Sequence, residues 1–171
     1  AWGLSPRIEA AKGLCHLAWK ESTSSDRVVG RIQELASDPA PGVRFAVAQG
    51  ILQLYDHHRE VMWTVIEAMA QSEEHGKVLA TLIAHPLQRL IPVSDERVGR
   101  MVVDILSRCS KEPARDSGIA LVTGLHVYRD EAQATALARK IATEANLRPR
   151  DTLHQMQLVQ SAIAHGGDAR P

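Results

Sequence analysis

One helix-like segment returns along this chain at nearly fixed intervals, and a chain of that kind has few folds open to it. The glycine of AAKGLCHL, Gly13, overlays the glycine of VAQGILQL, Gly50, at an offset of 37 residues. The same overlay carries Ala11 onto Ala48, Leu14 onto Ile51, Leu17 onto Leu54 and Arg7 onto Arg44. A step of 36 reaches LIAHPLQRL, with Ala84, Leu87 and Leu90 on those positions, and 38 more reach ALVTGLHVY, with Gly124 on Gly50. A weaker fifth copy is LVQSAIAHG, with Ser161 in the glycine position.

A second helix type fills the gaps. SDRVVGRI (Ser25–Ile32) and SDERVGRM (Ser94–Met101) are nearly one peptide, 69 residues apart. Each opens on Ser-Asp, whose side-chain oxygens can take the first free N–H groups and whose charge suits a helix N-terminus. Between them stands REVMWTVIEAMAQ (Arg59–Gln71), and the last member is DEAQATALARKIATEA (Asp130–Ala145). Val28, Val29, Ile32, Leu35 and Ala36 keep the i, i+3, i+4, i+7 spacing of an amphipathic helix. Short helices in pairs, joined by tight turns, stack into a solenoid.

The turn inside a pair is clearest at LASDPAPGVRFAVAQGILQL (Leu35–Leu54). Ser37-Asp38-Pro39-Ala40-Pro41-Gly42 breaks the first helix, and Val43-Arg44 opens the next. Asp38-Pro39, Val43-Arg44 and Ala48 together resemble the signature of a HEAT repeat, a relative of the armadillo repeat. The resemblance implies an all-α, right-handed superhelix of antiparallel helix pairs. It also implies that Asp38 caps the second helix and pairs with an arginine such as Arg44 in a ladder between repeats. The frame covers residues 1–165 as one repeat domain, with 166–171 as a flexible tail. The full signature occurs once. The second turn, SEEHGKVLA, has Gly76 but no proline, and Ala80 at the arginine position; the third, SKEPARDSGIA, keeps Pro113 but has Gly118 there. The ladder is therefore expected in the first unit only. Pro86, at the position of Gly13, Gly50 and Gly124, predicts a kink.

Composition agrees with packed helices. Aromatics are 4% of the 171 residues, too few for a sandwich of β-strands rich in such side chains. Formal net charge is zero, from 20 basic and 20 acidic side chains, which gives no global pull toward nucleic acid or an anionic membrane. Cys15 and Cys109 read as buried, reduced thiols rather than a disulfide or metal pair. No apolar run is long enough to cross a bilayer, and no signal peptide is legible. Ala1-Trp2-Gly3-Leu4 reads as the interior of a longer cytoplasmic protein, and the Ala- and Arg-rich composition as a bacterial one.

Chemistry is hard to find. Eight histidines raise a metal site, yet adjacent His57 and His58 point apart, no His-Glu dipeptide of the HEAT-like di-iron hydroxylases occurs, and no Cys/His set has zinc spacing. Neither a nucleophile elbow nor a phosphate loop is present. No catalytic residue, cofactor or metal is expected. A helical-repeat DNA glycosylase would need a cationic groove with aromatics beside a flipped base; Trp19 and Trp63 read instead as packing residues. What remains is a face. The resemblance puts the second helix of each pair on the concave surface, where the polar positions one turn apart are Lys12 and His16, Gln49 and Gln53, His85 and Arg89, Thr123 and His126, then Gln160. The expectation is a non-catalytic scaffold holding a protein or peptide along that ridge, with a regulatory arm of a larger NTPase or kinase as the alternative. The unstacked first helix, with Ile8, Leu14 and Leu17, is expected to leave apolar surface open to self-association.

Overall fold

Stop and start signals set the elements. The structure, a computed structural model, describes residues 5–20, 25–109 and 111–129 and positions 136 and 139, apart from the side chains of 126–129. The helices are α1 (Pro6–Leu17), α2 (Asp26–Ala36), α3 (Pro41–Gly50), α4 (Arg59–Ser72), α5 (Gly76–Leu82), α6 (Gln88–Leu90), α7 (Asp95–Arg108) and α8 (Glu112–Arg129). A 3₁₀ turn, Ile51–Leu54, prolongs α3, and a wide π turn, Ile83–Leu87, joins α5 to α6. Among the described residues there is no strand. Helix Asp130–Ala145, the fifth copy at Ser161, Gln160 and the tail 166–171 lie outside them.

Proline opens α1 and α3 at a position whose N–H would have no helical partner anyway. Ser25 caps α2, its Oγ accepting from the Val28 amide at 3.4 Å. The near-copy at α7 differs: Ser94 makes no side-chain cap, and Asp95 Oδ1 takes the Glu96 amide at 2.9 Å instead. Pro86 cannot donate to a carbonyl four residues back, and the helix answers by widening. The Gln88 amide reaches back to the Ile83 carbonyl, five residues away, and to that of His85, so the chain continues through α6 instead of stopping.

Burial follows the apolar stripes. On α4 the buried side chains are Met62, Trp63, Val65, Ile66, Met69 and Ala70, and on α7 Val98, Met101, Val102, Ile105 and Leu106. These stripes close two rows of helices on one another. In one row α1 packs on α3, α3 on α5, and α5 with the π turn on α8; in the other α2 packs on α4 and α4 on α7. The two rows meet through α1 and α3 against α2, α5 against α4, and α7 against α8. One continuous apolar core runs between them, from Ala11 and Cys15 to Val122 and Leu125.

Helices of the first row approach closely at one glycine. A Cβ built on Gly50 would lie 2.6 Å from Cys15 Cβ and 3.0 Å from its Sγ, whereas one on Gly13 or Gly124 would meet nothing. The recurring glycine is thus required where α3 crosses α1 and not at every copy. Cys15 is buried in that contact, and burial pushes its thiol up to about 12, leaving it protonated and inert at neutral pH. Cys109 is half-buried rather than buried, and free. Trp63 is a core residue, but Trp19 is 51% exposed, because α1 ends at Leu17 and Trp19 stands beyond the helical register that made it look internal. No helix of the described residues is long and apolar enough to cross a membrane.

Two glycine variants read out this packing. Gly50→Ala should lower stability by about 1–3 kcal/mol, as overpacking does. Gly13→Ala should raise it by about 0.5–1 kcal/mol through helix propensity. Chemical denaturation of both variants measures the difference, and equal shifts would mean that α1 and α3 are not in this contact.

Candidate functional site

Two features separate themselves from the plain wet surface of the helices: a chain of charged contacts along the turns, and a polar row along the first row of helices. The turn chain starts at Asp38. Its Oδ1 accepts from the Ala40 amide at 2.8 Å, closing the turn, and its Oδ2 takes the Arg7 guanidinium of α1. Arg44 donates through Nη1 to the carbonyls of Asp38 at 2.7 Å and Pro39 at 3.2 Å. Its other edge meets Glu73 twice, Nε to Oε2 at 2.6 Å and Nη2 to Oε1 at 2.9 Å. Arg44 therefore binds the backbone, not the carboxylate, of its own turn, and the carboxylate of the next one. Each arginine reaches forward by one unit: Arg7 to Asp38, Arg44 to Glu73.

Glu73 had no signal in the sequence beyond its place before Glu74-His75-Gly76. It does the work of an Asp-Pro turn with one more methylene, Oε1 accepting from the amides of Glu74 at 3.0 Å and His75 at 2.7 Å. The ladder therefore extends past the first unit, against expectation. It changes chemistry at the third, where Ala80 offers no guanidinium. There Lys111 Nζ reaches the Glu74 carbonyl, and Arg108, from the end of α7, reaches the Ala70 carbonyl near the end of α4. Cations at helix C-termini are favourable there. A cleft of about 300 Å³ opens between the α2 and α4 C-termini, with Asp38, Arg44, Glu73 and Glu74 on its walls. Its buried charges are already paired, so it offers little to a ligand.

Most of the polar positions that the spacing marked are exposed. Lys12 and His16 on α1, Gln49 on α3, and His85 and Arg89 on the π turn and α6 are exposed, and Gln53 is half-exposed in the 3₁₀ turn. Lys12 Nζ meets Glu9 at 2.8 Å across one helical turn, and the His16 ring lies 6.2 Å from that of Trp19. Thr123 does not belong to this row. It is 3% exposed, with a hydroxyl that finds no partner among the described residues. From Ala114 to Leu125 no residue of α8 is exposed, since α8 is wedged against α5, the π turn and α7. The side chain of His126 lies outside the described residues. At the N-terminal end Leu17 is 44% exposed, while Ile8 and Leu14 are half-buried against the core.

No group of three or more His, Cys, Asp or Glu among the described residues could hold a metal ion. His57 is exposed and His58 half-buried before α4, with no side-chain cap from His58. Compared with known proteins, the chain matches no family model, no curated protein and no solved structure.

The Arg44–Glu73 pair sets a pH dependence. Burial pushes the Glu73 carboxyl upward, but the hydrogen bonds from Arg44 and from the His75 and Glu74 amides outweigh it and hold the group below its ordinary value. A folded-state pKa below the unfolded one gives stability that is complete above the unfolded value, about 4.5, and is lost as pH falls through the folded value. Urea denaturation between pH 7 and pH 2 should show this acid loss, and Glu73→Gln should be less stable at pH 7 with a flatter profile below pH 4.5. A Gln variant whose profile runs parallel to that of the parent would remove Glu73 from the account.

Proposed function

We propose that this chain is a non-catalytic interaction module, a HEAT-like right-handed solenoid that holds a protein or peptide partner along its first row of helices. The observation that carries the reading is that Lys12, His16, Gln49, His85 and Arg89 are exposed and Gln53 half-exposed, at equivalent sequence positions of three successively packed helical segments. Such a row offers donors at regular intervals, and many modest contacts along a partner then add up. The two rows of helices, the 36- to 38-residue offsets and the forward-reaching arginines support the solenoid part of the proposal.

Exposed side chains of this kind contribute little to folding. The His85→Ala/Arg89→Ala double variant should keep its stability within about 0.5 kcal/mol. If these are central contacts, it should bind a partner identified with the parent protein more weakly by about 1–2 kcal/mol. A photo-crosslinker at position 85 should capture that partner, and one at position 31 on α2 should not. Capture from position 31 alone, with the double variant binding normally, would move the working face to the other row.

A further inference from the structure

The zero net charge hides a segregation between the two rows. In α1, in α3 with its 3₁₀ turn, and from α5 through α6, the charged residues are Arg7, Lys12, Arg44, Lys77 and Arg89 against the single acid Glu9. The fourth member of this row, α8, is balanced, with Arg115 and Arg129 against Glu112 and Asp116. The opposite row, α2, α4 and α7, holds six arginines and seven carboxylates. The acids that offset the first row stand there and in the turns.

Not all of these cations are free to act. Arg7 is held by Asp38 and Arg44 by Glu73. Among the described residues Lys12 is paired with Glu9, one turn away on the same exposed surface, a pair of small worth that a partner can displace. Lys77 and Arg89 are exposed, and no carboxylate among the described residues pairs with either. On α3 and its 3₁₀ turn, the element packed on both α1 and α5, stand the amides of Gln49 and Gln53, able to donate and accept, and the half-buried apolar side chains of Phe45 and Leu52.

We propose that this face receives an acidic peptide segment, whose carboxylates meet Lys12, Lys77 and Arg89 while its main chain is held by Gln49 and Gln53. The inference rests on the reading of the face as a docking surface and adds the chemistry of what docks. Complementary charge of this kind selects partners and speeds encounter more than it adds affinity. Three displaceable cations suit a short acidic segment. They fall below the roughly 6–10 phosphate contacts of a strongly salt-dependent duplex binder.

Fluorescence polarisation of the full chain can decide it with three labelled probes: a peptide of three Glu-Leu-Asp-Gly repeats, its Gln-Leu-Asn-Gly counterpart, and a single-stranded oligonucleotide of similar length. The acidic peptide should bind about tenfold more tightly than the neutral one, and the preference should fade as salt rises. Lys77→Gln/Arg89→Gln should abolish the preference with an unchanged circular dichroism spectrum, while Arg27→Gln/Arg31→Gln on the opposite row should preserve it. If both peptides bind equally and Gln49→Ala/Gln53→Ala weakens both, the face docks peptides but the acidic assignment is wrong. Binding of neither peptide would overturn the docking surface together with the charge assignment. Tighter binding of the oligonucleotide, or equal loss in the Arg27/Arg31 variant, would also overturn the proposal.

Discussion

Arg44 ties three pieces of chain together, and the order of the helices depends on it. Its guanidinium spans the carbonyls of the turn before α3 and the carboxylate of the turn before α5. Glu73 is almost fully buried, its side chain 2% exposed, so removing either partner would leave a costly group without compensation. The hydrogen bonds that Arg44 donates to Glu73 outweigh burial and strengthen the hold of Arg44 on its proton. Because the pair joins one turn to the next, it fixes the relative height of α3 and α5. The contact of Gly50 with Cys15 does the same for α1 and α3 through packing.

The proposed polar row rests on that register. In the proposed solenoid, helices at matching heights would bring residues 36 or 37 apart in sequence onto one surface. Function on this account lies in the spacing and charge of a surface. No metal-ligand cluster among the described residues competes with it, and the cleft beside Asp38 and Glu73 is walled by charges already committed to the ladder.

Much of this was legible in the chain. The offsets located the first-row helices, Ser25 marked a true start, and REVMWTVIEAMAQ gave α4 to within one residue, whereas α3 starts at Pro41, two residues before the Val43-Arg44 expected to open it. What escaped depended on partners far away in sequence. Nothing local distinguishes Glu73 from Glu74, yet only Glu73 lies opposite Arg44. Lys111 takes up a role that the missing arginine at Ala80 left open, by reaching from a different element. Thr123 was placed by the same periodicity as Gln49, but it is buried where α8 packs on α5, the π turn and α7, and that is tertiary information. At Pro86 the sequence announced a missing hydrogen bond without saying whether the helix would break or widen.

A double-mutant cycle on Arg44→Ala and Glu73→Ala, by equilibrium denaturation at pH 7, tests most directly whether the units are coupled turn to turn. The account predicts that the two losses are far from additive, with a coupling energy of about 1.5–3 kcal/mol. Additive losses, to within about 0.3 kcal/mol, would mean that the two turns are held independently and that the register of the polar row does not arise from this contact.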